Sequence, residues 1–213
     1  MRTELINKRI EFDYALNSTI ARLAQGDVVA VPTETVYGLV ADIYNTEAVN
    51  KIFYIKQRIR NKPLTSFCKS IEEIEKICID IPKFFYVLAE NFLPGPLAII
   101  LKKSKLVPDE VTGGLDTVAV RIPDNKFVIS LLNIYKRPLA STSANISNAF
   151  PFDIVTNVYQ VFKGKIPLII DGGKCRYGKE STVIDLSIPE PQIFREGIIT
   201  RKVIEYVTGK KII

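Results

Sequence analysis

The stretch from Val28 to Leu39 constrains the fold most, because a buried-strand pattern passes directly into a polar loop. Val28–Val31 is an apolar run rich in valine, which is typical of a strand covered on both faces. Pro32 lacks a backbone donor, so the strand is predicted to end there. Two threonines and a glutamate follow, and Gly38 permits a tight turn or a close approach to a ligand. The stretch indicates either the opening of a binding site or an ordinary connection between a strand and a helix.

Strands and helices are predicted to alternate along the whole chain, from helical spacing, capping signals and short apolar runs between turn residues. This favours an α/β (α+β) fold, with one domain over residues 1–213 and a mixed, strongly twisted sheet. The predicted helices are Phe12–Gln25, Asn45–Ile55, Ser70–Cys78, Pro82–Phe92, Lys126–Tyr135, Ile154–Phe162 and one from about Arg201. The predicted strands are Val28–Val31, Leu64–Cys68, Leu97–Leu101, Thr117–Pro123, Pro138–Asn145, Pro167–Ile170, Ser181–Leu186 and Gln192–Arg195, with a loop over Val107–Leu115.

The absence of histidine limits the chemistry open to this chain. With no histidine among 213 residues, Ser-His-Asp and Cys-His nucleophilic machinery and histidine metal sites are excluded. The three cysteines are odd in number and lack a CxxC spacing, which indicates neither a disulfide framework nor a zinc site. Lysine, arginine, hydroxyl, carboxylate and backbone amide groups are left to carry any reaction.

Charge and hydropathy narrow the function classes further. The net charge of +6 points to anionic partners such as nucleotides or nucleic acid, although a lysine excess also serves solubility. Apolar runs fall short of the ~18–20 residues of a membrane-spanning helix, and the first residues lack the apolar segment of a signal peptide. We therefore expect a cytosolic protein with no membrane contact. The GxxxxGK[ST] and GxGxxG patterns are absent, so any nucleotide site is of another type.

Four cations, Lys56, Arg58, Arg60 and Lys62, follow one another at alternate positions. An extended backbone would direct all four to the same side, because side chains in a strand repeat every two residues. Such a comb would suit a triphosphate, since charge-assisted contacts contribute roughly 1.5–3 kcal/mol each. The alternative is a solvated helix C-terminus whose cations interact with the helix dipole.

Other candidate groups lie near the ends of predicted strands. Arg121 ends an apolar strand, where a charge is costly unless paired, so it would either bind a ligand carboxylate or form a structural ion pair. Ser141–Asn145 offers hydroxyls and an amide to phosphate, ribose or an amino acid, or forms a turn. Glu180–Asp185 places hydroxyls at the start of a strand, and Arg195 ends the next one. Cys175 has no base or metal partner and is interpreted as structural.

Taken together, these segments resemble the YrdC/TsaC family of threonylcarbamoyl-AMP synthases, because several motifs recur in the family's order. The likeness covers about residues 12–208 and implies a YrdC-like domain with a concave basic cleft, in the short, single-domain form. The motifs are Pro32–Leu39, the Lys56-x-Arg58 pair, Leu93–Leu97, Thr117–Arg121, Ser143–Asn145, Glu180–Asp185 and Arg195–Thr200.

The resemblance implies a reaction of L-threonine, bicarbonate or CO2, and ATP that forms threonylcarbamoyl-AMP and pyrophosphate for the threonylcarbamoyladenosine modification of tRNA. Mg2+ would accompany ATP and have no separate protein site. Separate threonylcarbamoyl-transfer proteins would take the unstable product, and the basic surface would offer a contact for tRNA. A threonine carbamate attacking the α-phosphorus needs positioned anions and charge neutralisation more than a strong base, so a histidine-free site can serve.

The resemblance also assigns residues by motif position. Glu34 is a conceivable acceptor for the amine protons, and Phe67 stands where many relatives have histidine. The catalytic residues, around the nucleotide phosphates, are Lys56, Arg58, Ser143 and Asn145. ATP would also be bound by Lys62, Thr117 and Arg195. L-threonine would be bound by Thr35, Phe67, Arg121, Ser141 and Ser181, with Arg121 pairing with its carboxylate.

Two departures from the family pattern and two alternative functions accompany this interpretation. Glu196 and Leu93 replace a usual proline and a common tryptophan, and both changes are expected to be tolerated. One alternative is a non-catalytic RNA-binding paralogue of the same fold, which would be marked by loss of the Lys-x-Arg and Ser-Ala-Asn residues. The other is a carbamoyl-transfer module like those of hydrogenase maturation, which usually lies in longer chains with zinc and acylphosphatase domains.

Overall fold

A computed structural model describes residues 2–213 as a mixed eleven-stranded sheet with helices packed on both faces. Within these residues, no helix is long and apolar enough to cross a membrane. The strands are β1 Glu4–Asn7, β2 Val29–Val31, β3 Gly38–Asp42, β4 Thr65–Phe67, β5 Cys78–Ile79, β6 Leu97–Lys103, β7 Thr117–Arg121, β8 Leu139–Ser143, β9 Leu168–Asp171, β10 Thr182–Asp185 and β11 Gln192–Arg195. The helices are α1 Phe12–Ala24, α2 Thr46–Lys56, α3 Ile71–Ile77, α4 Lys83–Phe92, α5 Asp109–Thr112, α6 Lys126–Tyr135, α7 Val155–Phe162 and α8 Arg201–Thr208.

The strands run in the order β1-β9-β2-β3-β8-β4-β7-β6-β10-β11, and β5 pairs with β6 outside this order. The pairs β1–β9, β2–β9, β4–β7 and β6–β10 are parallel, whereas those of β3 with β2 and β8 are antiparallel. The predicted mixed α/β architecture is confirmed. The extent of the domain, residues 1–213, stays a prediction.

Two hydrophobic cores form on opposite faces of the sheet. The larger core packs apolar residues of α2, α3 and α4 against β6 and β7, including Ile99 and Val120. The smaller core packs α1 and α6 against Val40, Phe67 and Leu139. Side chains of paired residues point to the same face of a sheet. Ser141 pairs with Val40 and Arg121 pairs with Phe67, so both lie on the face that α1 and α6 cover, here called the α1–α6 face. That face therefore continues from an apolar core into a polar surface.

Local signals explain where two helices begin. The side chain of Asn45 accepts a hydrogen bond from the backbone N–H of Ala48 at 3.0 Å, which caps α2. Ser70 accepts from the backbone N–H of Glu73, and the carboxylate of Glu73 accepts from the N–H of Lys69 at 2.8 Å. These reciprocal bonds satisfy amide groups that α3 leaves without helical partners.

The sequence prediction missed the strands β1, β3 and β5 and the short helix α5. Of the two roles expected of Gly38, the tight turn is wrong, because Gly38 begins β3 and pairs with Ser143 of β8, and the close approach to a ligand stays a prediction. A Cβ atom on Gly38 would lie 3.3 Å from the hydroxyl of Ser141, so the residue permits close strand packing. The apolar run after Gly38 is short and buried on both faces. It therefore lacks the alternation of polar and apolar residues by which a strand is recognised in a sequence.

Candidate functional site

A cavity of about 600 Å3 opens where the polar part of the α1–α6 face continues past these helices. Strands β8, β4 and β7 form its floor with alternate residues, because side chains on a strand alternate between faces. The β2–β3 loop, the segment 58–64 after α2, and strands β10 and β11 form its walls. The floor residues are Ser141 and Ser143 of β8, Thr65 and Phe67 of β4, and Thr117, Ala119 and Arg121 of β7.

The cavity brings together residues that are far apart in sequence. Among the predicted site residues, only Lys56 and Asn145 do not line it, and both are buried beside it. Their direct contact with a nucleotide stays a prediction. The predicted residues that line the cavity are Thr35, Arg58, Lys62, Phe67, Thr117, Arg121, Ser141, Ser143, Ser181 and Arg195.

One part of the cavity, the Arg121 end, is formed by Arg121, Thr35 and Phe67. The guanidinium of Arg121 donates from Nη2 to Glu34 Oε1 at 2.6 Å and from Nε to the carbonyl of Gly95 at 3.0 Å. Its carbon atom lies 5.6 Å from the ring centroid of Phe67. The structural ion pair expected of Arg121 is therefore present, while its binding of a ligand carboxylate in the cavity that it lines stays a prediction.

Glu34 lies behind Arg121 and does not line the cavity. Its Oε1 atom accepts from Arg121 and from the backbone N–H of Asp124 at 3.0 Å. Its Oε2 atom is buried and has no hydrogen-bond partner among the described residues. The carboxylate thus neutralises and orients Arg121, and its position does not support the conceivable role as acceptor for a ligand's amine protons.

Another part of the cavity, the Lys56 end, is lined by Arg58, Lys62 and Ser143, with Lys56 and Asn145 buried beside it. Lys56 is 1% exposed, and its ammonium donates to the carbonyls of Ser143 and Asn145 and to Asn145 Oδ1 at 3.1 Å. All three acceptors are neutral. Burial, reinforced by the positive charge of Arg58, lowers the pKa of Lys56 to about 7.

The amide of Asn145 links Lys56 to the cavity surface. Its Nδ2 atom donates to the carbonyls of Ile146 at 3.0 Å and Ala149 at 2.6 Å, which fixes the orientation of the amide. Its Oδ1 atom accepts from Lys56 and from the hydroxyl of Ser143 at 2.6 Å. Lys56 and Asn145 therefore hold Ser143, which does line the cavity.

Neither interpretation of the four cations describes them all: no extended comb forms, and Lys56, which ends α2, is buried instead of solvated. Helix α2 continues through Lys56, and Gln57 adopts a left-handed conformation with φ of 53°. Arg58 and Lys62 line the cavity, but Arg60 does not. Residues 57–62, which follow α2, form neither a helix nor a strand, so their side chains do not alternate as they would in an extended segment.

Arg58 and Lys62 also bind neutral acceptors. Arg58 donates from Nε to the carbonyl of Lys62 at 3.2 Å and from Nη2 to the carbonyl of Pro63 at 2.9 Å. Lys62 donates to Asn148 Oδ1 at 2.9 Å. Burial lowers the pKa of Arg58, an effect partly offset by the charge of Glu180. The Lys56 end therefore holds cations whose hydrogen bonds do not neutralise them.

Arg195 completes the wall contributed by β11. It forms an ion pair with Glu180 at 2.8 Å and donates to the carbonyl of Ser181 at 3.2 Å. The turn after β11 passes so near β10 that a Cβ atom on Gly197 would lie 2.3 Å from the carbonyl oxygen of Glu180. Glycine at this position therefore allows Arg195 and Ser181 to meet beside the cavity.

Several cavity residues were missed by sequence reasoning. Thr33 lines the cavity next to the predicted Thr35, and its place in the same polar loop is a signal that could have identified it. The apolar part of the wall had no such signal, because each residue is unremarkable in sequence and becomes adjacent only through strand pairing. These apolar residues are Ile100, Leu115, Val183 and Phe194.

Comparisons with known proteins place this geometry in a family. A family model described as Sua5/YciO/YrdC, telomere recombination, matches residues 21–197. The chain is 42% identical to the threonylcarbamoyl-AMP synthase of Pyrococcus abyssi over 205 residues, which cover 96% of the chain and 60% of the relative. It is 37% identical to the threonylcarbamoyl-AMP synthase of Bacillus subtilis over 198 residues, with coverage of 92% and 57%.

A solved structure agrees with these matches. The crystal structure of P. abyssi Sua5 complexed with L-threonine superposes with a TM-score of 0.94 at 42% identity, covering 99% of this chain and 62% of that chain. The chain thus spans about three-fifths of the length of the curated relatives named here, 60% and 57%. The comparisons give no support to an RNA-binding paralogue. The family model, which matches most of the chain, and the identity to these relatives establish that the chain belongs to the Sua5/YciO/YrdC family.

Proposed function

We propose that this chain forms threonylcarbamoyl-AMP and pyrophosphate from L-threonine, bicarbonate or CO2, and ATP. The names of its relatives and the L-threonine complex of P. abyssi Sua5 support this reaction. The product would serve tRNA threonylcarbamoyladenosine synthesis in the cytosol, where separate transfer proteins would consume it. A direct contact with tRNA rests on the net charge of +6 and is part of the same proposal.

The observation that carries the proposal is the difference in charge between the two ends of the cavity. At the Arg121 end, Glu34 neutralises the buried guanidinium, which suits a zwitterionic amino acid. At the Lys56 end, Lys56, Arg58 and Lys62 donate to neutral oxygens, which leaves positive charge for a polyanion. One cavity connects the two ends, so an amino acid and a triphosphate would meet inside it.

The residues would act mainly by positioning and charge stabilisation. Arg121 would hold the threonine carboxylate, while the amine forms an N–C bond with CO2 and loses its protons to water. A carbamate oxygen would then attack the α-phosphorus, the bond from that phosphorus to the bridging oxygen of the β-phosphate would break, and pyrophosphate would leave. Arg58, Lys62 and Ser143, which line the cavity, would stabilise the charge that develops on the phosphates.

Mg2+ fits this arrangement as an ion carried by ATP. In residues 2–213, no group of three or more acidic, cysteine or histidine side chains is placed to hold a metal. The carboxylates that line the cavity are Glu180 and Asp185, and they bind Arg195 and Ser187. Mg2+ typically binds the phosphates of its nucleotide and retains several waters, so it requires no cage of protein ligands. When bound, it would neutralise phosphate charge.

Pyrophosphate release tests the proposal. The purified chain should release pyrophosphate only when L-threonine, bicarbonate and Mg-ATP are all present. Omitting L-threonine gives the sharpest control, because ATP hydrolysis by the chain or a contaminant would continue without it. Release that does not depend on L-threonine would contradict the proposed function.

A further inference from the structure

We infer that Thr33 is a positioning residue for the Arg121 end, acting through the hydroxyl of Thr35 on the guanidinium of Arg121. The inference rests on the proposed function, because it concerns how the cavity binds the carboxylate of an amino acid. Thr33 and Thr35 are 3% and 1% exposed, so water does not readily replace either hydroxyl in this network.

The direction of the hydrogen bonds follows from counting protons. Thr33 Oγ1 lies 2.6 Å from the carbonyl oxygen of Val36, and a carbonyl can only accept, so the single hydroxyl proton of Thr33 points there. Thr33 Oγ1 also accepts from the backbone N–H groups of Thr35 at 3.1 Å and Val36 at 3.3 Å. Thr33 Oγ1 and Thr35 Oγ1 lie 2.8 Å apart. Because Thr33 has no second hydroxyl proton, Thr35 is the donor of this bond. The only hydroxyl proton of Thr35 is therefore directed at Thr33.

This direction decides how Thr35 meets Arg121. Thr35 Oγ1 accepts from Arg121 Nη1 at 3.2 Å and from Nη2 at 3.3 Å. If its proton pointed at the guanidinium, two donors would face each other and the contact would be repulsive. By accepting that proton, Thr33 keeps the lone pairs of Thr35 directed at Arg121, and the successive bonds polarise one another.

The network leaves Arg121 one donor for a ligand. A guanidinium has five N–H groups. Nε donates to Gly95, Nη2 to Glu34 and Thr35, and Nη1 to Thr35. Among the described residues, the second N–H of Nη1 has no acceptor, and Arg121 lines the cavity. The direction in which this N–H group points depends on the contact of Nη1 with Thr35, and hence on Thr33.

A matched pair of variants separates the effect of the Thr33 hydroxyl on L-threonine binding from the effect of side-chain shape. Thr33→Val is nearly isosteric but cannot accept the Thr35 hydroxyl proton, and it also loses the bonds of the Thr33 oxygen to the backbone of Thr35 and Val36, whereas Thr33→Ser keeps the hydroxyl. In calorimetric titrations, Thr33→Val should raise the Kd for L-threonine about tenfold, the effect of weakening one hydrogen bond to a charged group. The Kd for ATP should not change, and Thr33→Ser should bind L-threonine as the wild type does. Equal weakening in both variants would overturn the inference.

A double-mutant cycle with Thr35→Val distinguishes this role from general support of the loop. If Thr33 acts through the Thr35 hydroxyl, Thr33→Val should have no further effect on the Kd for L-threonine once that hydroxyl is gone. Independent structural damage would instead add in the double variant. Additive effects of the two substitutions would overturn the inference.

Failure of the inference can be told apart from failure of the proposed function. A wild-type chain that neither binds L-threonine nor releases pyrophosphate would overturn both. A wild-type chain that binds L-threonine, with a Thr33→Val variant of equal Kd, would overturn only the role of Thr33. If thermal unfolding shows that Thr33→Val does not fold, the smaller Thr33→Ala replaces it, with the same expected loss and the same contradicting result.

Discussion

The two ends of the cavity hold their buried cations in different ways. At the Arg121 end, the guanidinium is paired with the carboxylate of Glu34 at 2.6 Å. At the Lys56 end, the ammonium binds only carbonyl and amide oxygens. Neutral acceptors satisfy hydrogen-bonding groups without cancelling charge, whereas a carboxylate does both. The same fold thus makes a locally neutral site and a cationic site within one cavity.

The largest expected effect concerns the stability contributed by Glu34. Glu34→Ala leaves the buried charge of Arg121 unpaired and should lower the free energy of unfolding by about 3–5 kcal/mol. Lys56→Met removes a charge and leaves only neutral groups without partners, so its loss should be smaller. Urea unfolding of both variants measures the difference, with Lys102→Ala, at the exposed ion pair with Asp80, as a control expected to change little. A larger loss in Lys56→Met would contradict the comparison.

The next effect concerns turnover at the Lys56 end. Lys56→Ala or Arg58→Ala should lower the rate of pyrophosphate release by ~10²-fold or more, as expected when a preorganised charge-stabilising donor is removed. In Lys56→Ala the loss should arise through the displaced Ser143 and Asn145, to which the ammonium is bonded. Steady-state kinetics with saturating L-threonine measure it. Unchanged kinetics in both variants would refute their assigned roles.

A smaller effect should separate the two substrates. Thr35→Ala removes the hydroxyl that accepts from Arg121, so it should raise the KM for L-threonine about tenfold. The KM for ATP should change less, because Thr35 lies at the Arg121 end. The two KM values are measured by varying each substrate at saturating levels of the other. Equal increases in both KM values would assign Thr35 a general supporting role.

The smallest effect is the proton that ATP binding should attract to Lys56. Burial lowers the pKa of Lys56 to about 7, so at pH 8 part of this amine is neutral in the free protein. A bound triphosphate favours the charged form and raises the pKa, so binding at pH 8 should take up a fraction of a proton. Calorimetry in buffers of different ionisation enthalpy measures this uptake. It should vanish in Lys56→Met, and equal uptake in that variant would exclude Lys56 as its source.

Much of the fold was predictable because local signals agreed with it. The capping residues Asn45 and Ser70 and the apolar spacing of most helices fixed their positions. Strand β3 was missed because Gly38–Asp42 is buried on both faces and follows polar loop residues that resemble a continuing turn. Strand β1 was missed because its short polar-apolar sequence becomes a strand only by pairing with β9, far along the chain.

The motifs named residues that the fold gathers around one cavity, but they did not predict the bonds among those residues. Motifs identified Arg58, Arg121 and Ser143, all of which line the cavity. The sequence left the partner of Arg121 open, because Glu34 and Arg121 meet only through the folded sheet. The burial of Lys56 was likewise hidden, since a cation at the end of a helix is usually solvated.

The most direct test of the account is identification of the product. The chain is incubated with L-threonine, Mg-ATP and either ordinary or 13C-labelled bicarbonate, and the mixture is analysed at once by mass spectrometry. The account predicts threonylcarbamoyl-AMP, heavier by one mass unit with the labelled bicarbonate and absent without L-threonine. Formation of only ADP or AMP, with no product containing both threonine and the label, would contradict it.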